Sequence, residues 1–102
     1  MIKFSALYPN TEGVTFNFDY YSNSHVPMTK HMLGDSLKDI GIEKGLAGAA
    51  GNKAPYIAIG HLYFDSFEGF RSKFLPHIEA FRQDIPNFTN VQPVIQISEV
   101  LI

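Results

Sequence analysis

The sequence predicts an α+β fold in which a four-stranded antiparallel sheet is covered by two helices. Residues 56–64 form a run of aromatic and β-branched side chains typical of a buried central strand. Two further segments, near residues 18–33 and 67–81, carry apolar side chains at the three- or four-residue spacing of amphipathic helices. With 102 residues, 45% of them hydrophobic, the chain has material for one core. We therefore expect residues 1–102 to form a single domain.

The first strand is predicted over residues 2–8. Side chains alternate there between two sets, and the alternation stops at Pro9-Asn10, a pair typical of turns. A loop then leads to Asn17, whose side chain suits a helix N-cap.

The first helix is expected to end at Leu33, because Gly34 suits the left-handed position after a helix. One face of this helix carries apolar and aromatic side chains: Phe18, Tyr21, His25, Met28 and Met32. Pro27 removes a backbone N–H and disfavours the helical conformation of the residue before it. A kink or break is therefore expected at residues 25–27.

The next elements are an edge strand over about 38–46, a surface loop over 47–55 and the central strand over 56–64. In the central strand the small residues Ala58 and Gly60 alternate with larger ones. This alternation predicts His61 and Tyr63 on one face of the sheet and close helix packing on the other.

The second helix is predicted to begin with a capping box in which Asp65 is the N-cap and Glu68 reaches back. Pro76 should divide this helix into two abutting pieces. Residues 85–93 contain two prolines and should turn the chain, and residues 94–102 should form the last strand.

This order of elements, βαββαβ, is that of a ferredoxin-like sandwich with both helices on one face of the sheet. The other face would expose Leu7, Ile59 and Tyr63. A second copy of the chain would bury them, so we expect a homodimer that forms an α/β barrel. Nine Phe and five Tyr also favour an apolar interface or pocket.

Composition excludes several classes of partner. The net charge is −2 and the eight Lys and Arg residues are scattered, which argues against nucleic acid and against an anionic membrane surface. The sequence shows no signal peptide and no apolar stretch near twenty residues, and it contains no cysteine. The expected location is the cytoplasm.

Three segments of the chain resemble the EthD-like family of dimeric α/β-barrel proteins. They are Asp-Tyr-Tyr-Ser-Asn-Ser-His-Val-Pro at residues 19–27, Gly-His-Leu-Tyr-Phe-Asp-Ser at 60–66, and the stretch 84–98, which contains Asp-Ile-Pro-Asn-Phe-Thr. The resemblance spans nearly the whole chain in the right order, and the Tyr-Tyr-x-x-x-His-x-Pro pattern is its most specific part. It implies the fold and the dimer.

The resemblance implies function more broadly. The family is named for a protein required in the breakdown of an ether pollutant, whose chemical step is attributed to a partner oxygenase. The wider superfamily includes cofactor-free monooxygenases, isomerases, haem-handling enzymes and binding proteins. We therefore expect a small apolar or aromatic ligand in a degradative or oxidative pathway, handled by a cofactor-free monooxygenase with a histidine base. The alternatives are a non-catalytic accessory or ligand-binding homodimer and, less favoured, a haem- or metal-binding protein.

Two histidines are the candidate catalytic residues. His25 follows a tyrosine pair and precedes the proline, so its ring could point to the sheet while a freed backbone carbonyl fixes its tautomer. His61 lies in an apolar strand and needs a hydrogen-bond partner or a ligand. Each could instead be a core histidine satisfied by backbone groups. The candidate substrate-binding residues are Tyr21, Tyr63, His77 and Gln96.

The two histidines are expected to share one pocket, although a ferredoxin-like unit could also hold them on opposite faces of the sheet. No cofactor is expected. The glycines at 45–51 precede a strand rather than a helix, which disfavours a phosphate-binding loop. His25 and His31 are six residues apart and fall on different helix faces, so a metal site would need ligands from distant segments.

Overall fold

The computed structural model describes all 102 residues and confirms the ferredoxin-like α+β sandwich. Its sheet has the strand order β2-β3-β1-β4, where β1 is Ile2–Pro9, β2 is Asp39–Lys44, β3 is Tyr56–Phe64 and β4 is Val94–Glu99. All neighbouring strands are antiparallel. The last strand is shorter than predicted, because its pairing with β1 ends at Ile2 and Glu99, and one further hydrogen bond joins the Val100 N–H to the Met1 carbonyl at 2.9 Å.

The first helical segment, residues 18–33, has three parts: α1 (Phe18–Tyr20), a π-helical turn (Tyr21–His25) and α2 (Val26–Leu33). Asn17 caps it as predicted, since its side chain accepts a hydrogen bond from the Tyr20 N–H at 2.9 Å. Gly34 ends it with a φ of 55°.

The interruption predicted at residues 25–27 takes the form of this π turn, in which the Val26 N–H donates to the Tyr21 carbonyl. Pro27 then stands in the first turn of α2, where a missing N–H is tolerated. The chain therefore stays helical through Pro27 and is not broken there.

The second helical segment consists of α3 (Phe67–Phe74), a 3₁₀ turn (Leu75–His77), α4 (Ile78–Asp84) and a second 3₁₀ turn (Ile85–Asn87). Pro76 divides it as predicted. The predicted capping box is wrong: the N-cap is Ser66, whose Oγ accepts from the Gly69 N–H at 3.0 Å. Ser66 has the extended backbone that an N-cap requires, while Asp65 pairs with Lys38 and Glu68 with Arg71.

The side chains of strand β3 point alternately to two different faces of the sheet. Ala58, Gly60, Leu62 and Phe64 are buried beneath the helical segments. The intervening side chains, including Ile59, lie on the face that no helix covers, which we call the open face. Leu7 pairs with Ile59 and so lies on the open face as well. The two-layer molecule is flat, with extents of 39 × 32 × 18 Å.

The core beneath the helical segments falls into two clusters. One is built on phenylalanines of α3 and α4 with Phe64, and the other on Tyr8, Tyr21 and Phe88. None of the helices has the length and apolar character needed to cross a membrane.

Candidate functional site

A cavity of about 240 Å³ lies between the helix-covered face of the sheet and the two helical segments. Most of its wall is apolar, and a few polar side chains face it. That combination is typical of sites for small organic ligands, and the volume is just below the range of roughly 300–1,000 Å³ common for them. The residues that matter for its chemistry are Tyr8, Tyr21, His25, Thr29 and Arg82.

His25 is held in the cavity wall by one charged partner. Its Nδ1 lies 2.8 Å from Oδ2 of Asp84, and the ring is buried against Tyr21 and Phe88 at centroid distances of 4.8 and 5.0 Å. A carboxylate can only accept a hydrogen bond, so Nδ1 carries the proton. The other ring nitrogen, Nε2, has no partner within the chain and keeps its lone pair for whatever occupies the cavity.

Asp84 is fixed by three side chains. Besides His25, the Tyr20 hydroxyl donates to Oδ1 at 2.7 Å and the Asn87 amide donates to the same oxygen at 3.0 Å. Burial alone would raise the pKa of Asp84, but the hydrogen bonds from Asn87, His25 and Tyr20 outweigh it and lower this pKa below its usual range. The group is therefore a carboxylate at neutral pH.

The prediction that a freed backbone carbonyl fixes the His25 tautomer is wrong, because Asp84 does so. The backbone carbonyl of His25 itself accepts from the Thr29 hydroxyl at 2.9 Å. A charged acceptor holds a ring N–H more strongly than a neutral carbonyl does.

Two tyrosine hydroxyls face the same cavity, those of Tyr8 from β1 and Tyr21 from the π turn. The side chains are 2% and 5% exposed, yet neither hydroxyl hydrogen-bonds to another protein group. Tyr21 crosses over Gly60, where a Cβ atom would lie 2.6 Å from its hydroxyl oxygen. Glycine at position 60 thus makes room for the tyrosine.

Burial keeps both phenols neutral. It raises the pKa of Tyr21 to about 12. The pKa of Tyr8 is raised further, first by burial and then by the nearby Tyr21 phenol. Both groups are therefore hydrogen-bond donors over the whole physiological range.

His61 is among the residues that line this cavity, together with Gly60 and Leu62 of the same strand. Its ring lies on the open face, 5.5 Å from the Tyr63 ring. There it covers Gly41, whose Cβ position would be 2.6 Å from His61 Nε2. The cavity lining thus includes both His25 and His61, while the alternation of β3 turns the His61 ring to the open face. Nδ1 of His61 is buried with no hydrogen-bond partner.

The other predicted substrate-binding side chains also lie elsewhere. Tyr63 is on the open face with Lys3 Nζ 5.7 Å from its ring centroid. Gln96 is exposed on β4, where its amide donates to the Ser98 hydroxyl at 3.1 Å. His77 lies in the turn between α3 and α4, 6.3 Å from the Phe81 ring and outside the cavity. Of the six predicted site residues, Tyr21, His25 and His61 line the cavity, and the rings of Tyr21 and His25 contact each other there.

Sequence reasoning missed Asp84 and Tyr8 as site residues. Tyr8 shares its strand face with Ala6 and Phe4, so the alternation of β1 could have assigned it to the helix side. Asp84 lies 59 residues from His25, and no local pattern links the two. No group of three or more His, Asp or Glu side chains is placed to hold a metal ion.

Comparisons with known proteins agree with this fold. A family model described as the EthD domain matches residues 15–92. An EthD-like protein from Ralstonia eutropha JMP134 is 40% identical, with a TM-score of 0.90 over 99% of this chain and 92% of that one. No curated protein sequence matches the chain.

Two further solved structures share the fold. An ethyl tert-butyl ether D (EthD) family protein from Bacillus halodurans C-125 is 23% identical, with a TM-score of 0.75 over 99% of both chains. HapK from Hahella chejuensis is 13% identical, with a TM-score of 0.60 over 99% of this chain and 93% of that one.

Proposed function

Since the chain belongs to the EthD domain family, we propose that it binds a small, largely apolar organic molecule in the cavity and that His25 removes a proton from it. The observation that carries this proposal is the 2.8 Å contact between His25 Nδ1 and Asp84 Oδ2. It commits one ring nitrogen to a carboxylate and leaves the other as a proton acceptor at the cavity wall.

The chemistry of the proposed step follows from the partners of His25. A substrate proton moves to Nε2, and the bonding electron pair stays on the substrate. The imidazolium that forms is stabilised by the Asp84 carboxylate, which Tyr20 and Asn87 hold in place. The apolar wall limits access of water to the deprotonated substrate.

Such a step suits a degradative or oxidative pathway. A deprotonated aromatic or enolic compound is electron-rich and can reduce dioxygen without a cofactor. One oxygen atom enters the substrate, the other leaves as water, and the substrate supplies all the electrons, which is the monooxygenase form of this proposal. Nothing but proton removal is needed from His25 in that case. Binding without chemistry, as in an accessory protein, would use the same cavity.

Proton removal can be tested before the substrate is identified. A panel of small aryl ketones and phenols is incubated with the protein in D₂O, binding is followed by thermal shift, and C–H to C–D exchange is followed by NMR. We expect exchange of at least one ligand with wild type, and loss of that exchange in His25→Gln. His31→Gln is the matched control, since His31 is exposed in the last turn of α2.

Each outcome of this test decides a different point. Ligands that stabilise the protein but never exchange would replace catalysis by the binding function. Oxygen uptake in the same samples would extend the proposal to a monooxygenase. A coloured or metal-containing preparation would contradict a mechanism based on His25 alone.

We also propose that the chain acts as a homodimer joined through the open face. The accessible surface is 6327 Å², whereas a compact monomer of 11.4 kDa has roughly 5,800 Å². The radius of gyration is 13.9 Å, against about 12.8 Å for a chain of this length. The uncovered sheet face, with Leu7, Ile59 and Tyr63, supports a second copy as the cover.

A further inference from the structure

The hydroxyl groups of Tyr8 and Tyr21 make no hydrogen bonds that stabilise the fold. Both residues are more than nine-tenths buried, both line the cavity, and neither hydroxyl has a hydrogen-bond partner within the chain. The two hydroxyl oxygens are not fully enclosed by protein atoms, so they are open to the cavity. Each can therefore donate a hydrogen bond to a polar atom of a molecule bound there.

The two hydroxyls approach the cavity from different elements. Tyr21 comes from the π turn and reaches down to Gly60, which pairs with Ala6 in the sheet. Tyr8 is on the same face of β1 as Ala6, two residues further on.

The rings of Tyr8 and Tyr21 both pack against Phe16 and Phe88. They therefore lie in the same part of the cavity, next to the His25 ring, which packs 4.8 Å from that of Tyr21.

We infer that Tyr8 and Tyr21 donate hydrogen bonds to an oxygen atom of the substrate, and that the substrate is a small carbonyl compound deprotonated at the carbon next to its carbonyl group. This inference rests on the proposed function, because it names the substrate class for the same cavity. As the proton moves to His25 Nε2, the C–H electron pair forms a C=C bond and the carbonyl oxygen becomes an enolate oxygen. Neutral phenols positioned at that oxygen stabilise the charge as it develops.

The geometry favours an oxygen acceptor over an N–H donor on the ligand. His25 Nε2 already supplies an acceptor to the cavity, while the two buried phenols stay protonated and supply O–H groups. Stabilisation of a developing negative charge needs donors, and these must be held in place before the reaction. Gly60 gives Tyr21 the space for this position.

A delocalised phenolate can stand in for the enolate. The probe is 4-nitrophenol, whose bound ionised form is visible by absorbance, and the matched probe is 4-nitroaniline, which has the same shape but presents an N–H group. Both are titrated into wild type, Tyr8→Phe and Tyr21→Phe at a pH where free 4-nitrophenol is ionised. Tyr56→Phe is the control variant, since Tyr56 does not line the cavity.

We expect each cavity variant to bind 4-nitrophenolate about 10- to 100-fold more weakly, as for loss of a hydrogen bond to a charged acceptor. Affinity for 4-nitroaniline should change less than about threefold, since the apolar contacts are retained. Gly60→Ala should also weaken 4-nitrophenolate binding, because the added methyl group displaces the Tyr21 hydroxyl without removing it. It provides a second test if one tyrosine variant fails to fold.

The outcomes separate this inference from the proposed function. Unchanged 4-nitrophenolate affinity in the folded tyrosine variants would overturn the oxygen site, while proton exchange lost in His25→Gln would leave the base in place. Equal losses for the two probes would overturn the preference for oxygen. If wild type binds neither probe, the inference and the ligand-binding cavity fail together.

Discussion

At the scale of single residues, Asp84 organises the site. It lies at the end of α4 and connects Tyr20 and His25 of the first helical segment to Asn87 of the second. Its carboxylate is the reason that the proton on His25 sits at Nδ1. Loss of its charge should therefore change both stability and the chemistry of His25.

Asp84→Asn should lower the free energy of unfolding at pH 7 by about 1–3 kcal/mol, because the carboxylate accepts three hydrogen bonds. The folded pKa of Asp84 is below its unfolded value, so this stability is present above about pH 4 and is lost as the pH falls through the folded pKa. The difference in unfolding free energy between wild type and Asp84→Asn should therefore become smaller at acidic pH. Urea unfolding from pH 7 to pH 3 measures it.

The control for this change is Asp35→Asn, which removes an exposed carboxylate whose side chain makes no hydrogen bond or ion pair. It should leave stability within about 0.5 kcal/mol of wild type. A pH-independent difference for Asp84→Asn would contradict the carboxylate network.

The raised pKa of Tyr21 predicts that the protein loses stability at alkaline pH. Its folded pKa of about 12 is above the unfolded value near 10, so the stability is fully present below pH 10 and is lost as the pH rises toward 12. The loss due to this group should approach about 3 kcal/mol at pH 12, since one pKa unit corresponds to about 1.4 kcal/mol. In Tyr21→Phe the unfolding free energy should fall less between pH 10 and pH 12 than it does in wild type.

The measurement is denaturant unfolding of wild type, Tyr21→Phe and Tyr56→Phe between pH 9 and pH 12. Tyr8 contributes in the same direction in all three proteins. The same alkaline slope in wild type and Tyr21→Phe would show that the phenol is not buried in solution.

At the scale of elements, the π turn positions the site. Its extra residue puts Tyr21 over the sheet and His25 beside Asp84 within one helical segment. Pro27 follows immediately and supplies no N–H that could close a regular α-helical turn onto Asn23.

Pro27→Ala should therefore keep the fold and weaken binding of 4-nitrophenol, because a helix that closes regularly loses the π turn and re-aims Tyr21 and His25 relative to the sheet. Stability should stay the same or rise, given the better helix propensity of alanine. Pro76→Ala is the matched control, since Pro76 interrupts the second helical segment outside the cavity. Unchanged affinity for 4-nitrophenol in Pro27→Ala would show that the proline does not position the site.

Much at this scale could be predicted from sequence. Apolar periodicity, the Asn17 cap and the glycine at position 34 are local signals, and they gave correct helix ends. Asp65 and Ser66 are both good N-caps, so residue type does not distinguish them, and the structure assigns the cap to Ser66. The contacts of Asp84 and the shared cavity of Tyr8 and Tyr21 are long-range, so no local pattern contains them.

At the scale of the whole molecule, the flat two-layer shape predicts self-association. Sedimentation of the wild type over a dilution series should show a dimer into the micromolar range. Ile59→Asp should produce monomers or unfolded chains, because it puts a charge in the middle of the open face. Leu46→Asp is the matched control, as Leu46 is 89% exposed in the loop after β2.

A folded monomer of wild type at micromolar concentration would refute the dimer.

The alternation along β3 has a consequence for how such proteins diversify. The side chains at 58, 60 and 62 point to the helix-covered face of the sheet, which holds the cavity, and those at 57, 59, 61 and 63 point to the open face. Substitutions at even positions would remodel the proposed ligand site, while those at odd positions would alter the proposed contact between copies. Neighbouring residues of one strand would therefore be under separate selection. A lineage could acquire a new ligand while its assembly is conserved, or change its assembly while its ligand is conserved.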